Sequence, residues 1–316
     1  MTGDGLSGAI AKAAQILIEG GLVAFPTETV YGLGADARNG RAVARIFEAK
    51  GRPRFNPLIV HVANLDAARH YGQFGAVAER LAARFWPGPL TLVVPLAPHA
   101  SLSDLVTAGL ETVALRVPSH PVARAILSAA KLPIAAPSAN VSGRISATAA
   151  EHVRDDFGDA VDFIVDGGPT ETGLESTIVS LSREPILLRA GAIPREAIES
   201  ALRQPLIAAA KGQIQSPGQL ESHYAPRARL RLNAISARDG ELLLAFGGGW
   251  RDAALNLSGS GDLREAAANL FAYMRALDSR SPAGIAVTAI PETGLGEAIN
   301  DRLRRAAAPR MGENWR

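Results

Sequence analysis

The sequence predicts an α/β protein built on a large mixed sheet with helices, followed by a smaller α/β unit. Three observations lead there. Short apolar, β-branched runs alternate with amphipathic segments from Ser7 to beyond Pro194, the pattern of strands and helices sharing one sheet. The runs crowd together after Phe163, which favours a mixed over a purely parallel sheet. Near Gln204 the texture changes to proline and glycine without periodicity, and a second strand–helix–strand–helix series then begins.

A first helix from Ser7 carries Ile10, Ala13, Ala14, Leu17 and Ile18 at helical spacing and stops at Gly20-Gly21. Leu22-Val23-Ala24-Phe25 reads as a buried strand broken by Pro26. A helix over 42–50 leads to a strand over 58–62, and one over 77–85 to a strand over 90–96. Runs at 113–117, 163–165, 177–181 and 186–188 read as further strands. The helix Pro121 to Ala130 lies between them, and Pro194 opens another at its first position. Together these make a domain over 1–203. Residues 204–229 read as an interdomain linker, but Leu220, His223 and Tyr224 give it side chains able to dock. Runs at 242–246, 263–277, 285–290 and 295–308 then make a small α/β domain over 230–316, with no internal repeat uniting the two.

Composition narrows the function. The 316 residues are 47% hydrophobic with mixed-sign charge, which supports a buried core and excludes a disordered or fibrous chain. Cysteine is absent, so a disulfide framework, a thiol nucleophile and cysteine-ligated zinc are all excluded. The sequence pI of about 9.1 points towards nucleic acid. Against it, 33 cations and 31 acids leave a net charge of only +2, and 5% aromatic residues leave little for base stacking. A broad nucleic-acid surface is therefore disfavoured, while a local basic pocket is not. The first residues carry no secretory pattern, and no apolar run approaches the ~20 residues of a membrane span, so a soluble cytoplasmic protein is expected.

The common catalytic motifs are missing: no phosphate-binding Gly-x-x-x-x-Gly-Lys loop, no Gly-x-Gly-x-x-Gly after a strand and no Gly-x-Ser-x-Gly elbow. Gly247-Gly248-Gly249 reads as plain loop, and the six histidines never fall at metal-ligand spacing, so no transition metal is expected. What remains is polar residues at strand ends, where open α/β sheets bind ligands. Pro26-Thr27-Glu28-Thr29-Val30-Tyr31-Gly32-Leu33-Gly34 follows the first strand and is either such a site or an ordinary turn. Lys50-Gly51-Arg52-Pro53-Arg54 is either a solvated cluster or a stiffened phosphate grip. Ser138 and Asn140 stand among small residues after another strand, and Gly167 to Ile178 adds hydroxyls before the next. His61, in an apolar strand, reads most simply as a core histidine. Arg116, also in an apolar strand, needs an anion, internal or bound. These features describe a pocket for a small polar ligand and phosphates without a dedicated nucleophile, suited to chemistry by positioning and charge neutralisation.

Lys50-x-Arg52 with a distant Ser138-x-Asn140 resembles the signature of the YrdC-like family. Pro26 to Leu33, Ser138 to Gly143 and Gly173 to Val179 support it, and the linker Ser216-Pro217-Gly218 to His223-Tyr224-Ala225-Pro226 is similar to its longer, two-domain form. The resemblance implies a YrdC-like twisted mixed sheet and a small Rossmann-like C-terminal domain. It implies synthesis of L-threonylcarbamoyladenylate from L-threonine, bicarbonate or carbon dioxide, and ATP carrying Mg²⁺, with release of pyrophosphate. The product would feed a separate tRNA threonylcarbamoyl transferase, with at most a weak direct tRNA contact and no membrane. The resemblance assigns Thr29, His61, Arg116 and Ser176 to threonine, with Thr27 and Tyr31 shaping that pocket. Lys50, Arg52, Asn56, Thr112, Ser138, Ser146 and Arg189 go to ATP, Asn140 to both, and Tyr224 to closure of the nucleotide site; Lys50, Arg52, Ser138 and Asn140 form the catalytic set. The linker departs from the family pattern at Gln219 and Glu221, and Ser146-Ala147-Thr148 stands where many relatives have Ser-Pro-Thr. The rival reading is a double-stranded-RNA or tRNA-binding module without catalysis, which leaves Arg116 unexplained.

Overall fold

A computed structural model describes residues 3–209 and 222–309. The chain opens with α1 (Gly3–Ile18), ended by Gly20 at φ 84°, and a hairpin of β1 (Val23–Pro26) and β2 (Tyr31–Asp36). Asn39 caps α2 (Gly40–Lys50) by accepting from the N–H groups of Arg41 and Ala42, and left-handed Gly51 ends it. There follow β3 (Ile59–His61), α3 (Leu65–Arg69), α4 (Ala76–Phe85), β4 (Leu90–Pro95), α5 (Asp104–Thr107) and β5 (Thr112–Arg116). Next come α6 (Pro121–Ala130), β6 (Ile134–Ala135), α7 (Ala150–Phe157), β7 (Phe163–Ile164), β8 (Thr177–Ser180), β9 (Ile186–Arg189), α8 (Arg195–Leu202) and β10 (Ile207–Ala208). The second unit contains β11 (Arg229–Arg231), β12 (Glu241–Ala245), β13 (Leu255–Asn256), α9 (Leu263–Asp278), β14 (Gly284–Val287) and α10 (Leu295–Ala307).

The first sheet has the order β10-β9-β8-β4-β5-β3-β6-β2-β1-β7 and is mixed, as expected: β3–β5 and β4–β8 run parallel, β1–β2 and β4–β5 antiparallel. The second, β11-β14-β12-β13, is parallel throughout. Strand alternation positions the site. Along β1, Ala24 enters a core with Ile46, Leu81, Leu92 and Leu115, while Val23 and Phe25 enter another with Leu17 of α1 and Ile126 of α6. On β3 and β5, Val60 and Leu115 face the first core, leaving Ile59, His61, Ala114 and Arg116 on the opposite face. Helices α1 and α6 cover that face only at its β1–β6 end, so the middle of the sheet is left for a cavity.

The structure corrects several local expectations. Pro26 does not break the strand, because it is the last residue of β1, paired with Tyr31 at the hairpin end. Residues 31–36 form a strand that the two glycines of Tyr31-Gly32-Leu33-Gly34 conceal, since they lack β-favouring side chains. Helices α3, α5 and α7 escape a periodicity reading because each has eight residues or fewer. Pro194 sits at the cap of α8, not inside it. The linker is structured at its ends: Ile207–Ala208 adds a strand to β9, and Arg229 pairs with Gly284 in the second sheet. Ser216-Pro217-Gly218, Gln219, Leu220 and Glu221 lie outside the described residues.

The two units share a core. Val30, Ile145 and Leu174 of the first pack with Tyr224, Leu270, Phe271, Ile299 and Leu303. Polar contacts reinforce the junction: Arg275 of α9 binds Asp156 at 2.7 Å and donates to the Ile145 carbonyl at 2.5 Å, and Arg195 pairs with Glu297 at 2.6 Å. Gly173, at φ 69°, lets the chain touch α9; a Cβ there would lie 2.4 Å from the Ala267 carbonyl oxygen.

Candidate active site

A cavity opens on the uncovered sheet face. Its wall brings together Thr27, Thr29, Tyr31, Lys50, Arg52, His61, Arg116, Ser138, Ser176, Arg189 and Tyr224, from elements more than 190 residues apart in sequence. Asn56, Thr112, Asn140 and Ser146 are not in this wall. Asn140 instead donates to the carbonyls of Val141 and Arg144, and the Ser146 hydroxyl donates to Glu175 at 2.5 Å. Ser146 thereby anchors a residue of the wall, Glu175. Asn56 is buried, and neither of its amide atoms has a hydrogen-bond partner within the protein.

The cationic wall is built by burial. Lys50, at the C-terminal end of α2, is 1% exposed and its Nζ donates to the Ser138 carbonyl at 2.6 Å and to that of Asn140. Burial, with repulsion from Arg52, pushes its pKa well below the usual lysine value. Arg52 donates to the carbonyls of Asn56 and Pro57, and burial brings it down to about 10. Arg189 donates to the Ser176 carbonyl at 2.9 Å and to its hydroxyl at 3.2 Å, and burial lowers it too. Three basic side chains share one buried wall, each disfavoured as a cation by desolvation, and an anion placed among them would offset both burial and repulsion.

Arg116 has its anion inside the protein. Its Nη2 forms an ion pair with Glu28 Oε1 at 2.7 Å, and the second Glu28 oxygen accepts from the Ser119 N–H. Burial by itself would raise Glu28; the guanidinium beside it holds the carboxyl below its usual range. The sequence offered both an internal and a bound partner for Arg116, and Glu28 supplies the internal one. His61 is pushed down to about 3 by burial and by Arg116, so it is neutral, and its Nδ1 has no partner. Thr27 and Thr29 join hydroxyls at 2.8 Å in the β1–β2 turn. The Tyr31 hydroxyl donates to the Gly168 carbonyl at 2.7 Å, which gives its ring a fixed orientation in the wall.

Three polar contributors to the site were given no role from sequence, Glu28, Ser142 and Glu175, while His223 was read only as a linker side chain able to dock. Glu28 and Glu175 each stand beside a named residue, Thr27 or Ser176, and a buried arginine demands an acid nearby; that signal could have found Glu28. His223 and Tyr224 fill the cavity from the linker side, leaving about 40 Å³, room for a few waters. Behind them the segment Ser222, Ala225, Pro226 and Arg227 walls an outer groove of about 650 Å³, and Ser142 lines both spaces. The His223–Tyr224 side chains are therefore the partition between the cavity and the solvent side.

Fold and cavity together define a two-domain α/β protein with a pocket lined by basic side chains and bordered by His223 and Tyr224. Residues 15–191 match the family of Sua5, YciO and YrdC domains, described as telomere recombination, and residues 193–308 match the threonylcarbamoyl-AMP synthase C-terminal domain. The threonylcarbamoyl-AMP synthase of Bacillus subtilis is 43% identical over 96% of this chain and 94% of its own. That of Pyrococcus abyssi is 41% identical over 96% and 95%. The crystal structure of P. abyssi Sua5 complexed with L-threonine superposes with a TM-score of 0.87 at 40% identity, covering 95% of this chain and 94% of that one. The chain belongs to the threonylcarbamoyl-AMP synthase family.

Proposed function

We propose that this protein is a threonylcarbamoyl-AMP synthase, a nucleotidyltransferase that joins L-threonine, bicarbonate or carbon dioxide, and ATP into L-threonylcarbamoyladenylate and pyrophosphate. The observation that carries the reading is the cavity itself: Lys50, Arg52 and Arg189 buried together, facing Thr29, His61, Arg116 and Ser176 across a small volume. The relatives named threonylcarbamoyl-AMP synthase and the threonine-bound P. abyssi structure supply the substrate assignment.

In this reading the threonine ammonium gives up a proton to solvent, the free amine adds to carbon dioxide and releases a second proton to give a carbamate, and a carbamate oxygen attacks the α-phosphorus of ATP. The bond from that phosphorus to the pyrophosphate oxygen breaks, and negative charge grows on the leaving group. Lys50, Arg52 and Arg189 stand preorganised to take that charge, already desolvated before the ligand arrives. Neutral His61 and the hydroxyls of Thr29 and Ser176 offer hydrogen bonds to threonine without repelling its ammonium group, and Arg116 with Glu28 presents a fixed dipole to its carboxylate. Mg²⁺ enters on the nucleotide. The acids nearest the cavity, Glu28 and Glu175, are each paired with an arginine and do not fit a resident cation. The His223–Tyr224 partition must withdraw to admit ATP and return to keep water from the labile adenylate.

Residues 1–203 would be the catalytic domain, 204–229 the linker and 230–316 the accessory domain. The adenylate would pass to a separate tRNA threonylcarbamoyl transferase in the cytoplasm; among the described residues no helix is long and apolar enough to cross a membrane. The test is purified protein with Mg²⁺, ATP and bicarbonate, with and without L-threonine, read as pyrophosphate and adenylate. Threonine-dependent formation of both is expected. Turnover indifferent to threonine, or none, would overturn the reading.

A further inference from the structure

We propose that Arg302, on α10 of the second domain, is a positioning residue for the ligand cavity. It holds Tyr224 and Glu175 in place, so the second domain sets the geometry of a site built mainly on the first. Its readout rests on the functional reading above; the contacts do not.

Arg302 is fully buried, and its planar fork is used in three directions. Nε donates to Glu175 Oε2 at 2.8 Å, Nη2 to the Ala190 carbonyl at 2.9 Å, and Nη1 to Asp301 Oδ2 at 2.6 Å. Its Cζ lies over the Tyr224 ring, 5.1 Å from the centroid. Tyr224 also stacks on Phe271 of α9, centroids 5.5 Å apart and planes 24° apart, and meets the His223 ring edge-on at 4.0 Å, so two of these three ring contacts come from the second domain. The backbone supports the same placement. The His223 N–H donates to the Arg305 carbonyl on α10 at 3.2 Å, while the Ala225 N–H donates to the Gly143 carbonyl of the first domain at 2.8 Å. Tyr224 between them has φ 62°, a left-handed conformation disfavoured for a bulky residue and kept only where its surroundings enforce it. Its hydroxyl, buried in the cavity wall, has no partner, the condition of a group waiting for a ligand.

On the other side, Glu175 relays the contact. Its Oε1 accepts from the Ser146 hydroxyl and its neighbour Ser176 bonds to Thr91 and Arg189, so one guanidinium fixes a carboxylate that joins two segments of the wall. Stability alone does not account for this arrangement, because a buried ion pair is commonly matched by apolar residues of the same volume. A three-way fork with an aromatic on its face specifies position, which an apolar cluster would not do.

The test compares Arg302→Lys, which keeps a cation for Glu175 but not the fork, with the neutral pair Glu175→Gln/Arg302→Met, and adds Tyr224→Ala alone and with Arg302→Lys. Folding is checked by circular dichroism and thermal melting. The folded Arg302 variants should raise KM for ATP about tenfold, the size of a typical coupling between sites, with a smaller change in kcat. The Tyr224→Ala/Arg302→Lys double variant should lose less than the product of the two single losses, because part of what Arg302 does passes through the ring. A folded variant of either kind with wild-type KM for ATP overturns the proposal, as do losses that multiply in the double variant. A merely structural role would lower the melting temperature and the active fraction without moving KM. Wild-type protein without threonine-dependent pyrophosphate release would instead overturn the functional reading.

Discussion

Arg52 is a cation buried in the cavity wall, 8% exposed, and that burial makes its removal measurable. Arg52→Ala should lower threonine-dependent pyrophosphate release by about 10²-fold or more with a native circular dichroism spectrum, because a preorganised charge is lost from the leaving-group side. Wild-type rates in that variant would remove Arg52 from the site. The buried histidines make a second residue-scale prediction, about stability. Burial pushes His61 and His223 down to about 3 in the folded chain, whereas unfolding returns them to about 6.5. Between those values the unfolded state binds more protons, so stability is greatest above pH 6.5 and falls with acidification, by about 1.4 kcal/mol per pH unit for each histidine. Urea unfolding at pH 6 and pH 4 should show a flatter loss in His61→Gln than in wild type; an unchanged slope would contradict the buried neutral imidazole. Lys50, Arg52 and Arg116 were legible as unusual because cations beside prolines or inside apolar runs need an explanation. Glu28 and Glu175 were not, since an acid in a loop has no need of one until the fold puts an arginine against it.

At the scale of elements, the long amphipathic helices and the apolar strands were readable because each repeats its pattern over enough residues to be distinct. Helices α2, α4, α6, α9 and α10 match their periodic segments closely. The hairpin strand β2 was hidden behind glycines required for close packing: a Cβ on Gly34 would lie 2.6 Å from the Phe25 ring. Tertiary demand overrode local preference there. Gly173 shows the same logic at the domain junction, where its positive φ and the contact with α9 leave no space for a side chain. Gly173→Ala should destabilise the protein by about 2 kcal/mol or more, from left-handed strain plus the forced separation of the chain from α9. Thermal melting tests it; an unshifted midpoint would mean that the junction is loosely packed.

For the whole molecule, the shared core and the ion pairs of Arg275, Arg195 and Arg302 tie the two units into one body. A fragment ending at Ala209 would expose Val30, Ile145 and Leu174 and leave Glu175 buried without its cation. It should aggregate or melt well below the full chain, and a fragment melting with the intact protein would show the units to be independent. With a net charge of +2, tRNA binding should be weak and only gently salt-dependent, a slope measurable by filter binding between 50 and 200 mM salt. A steep slope with tight binding would favour the RNA-module reading. The sequence by itself determined the α/β class, the two-part organisation and the cations of the site, because periodicity, prolines and misplaced charge are local properties of a chain. Only the tertiary structure decided that Arg116 answers to Glu28, that Ser146 bonds to Glu175, and that Arg302 of α10 reaches both Glu175 and Tyr224. Those are contacts between segments up to 127 residues apart, and no local pattern records which distant side chain will complete a buried charge.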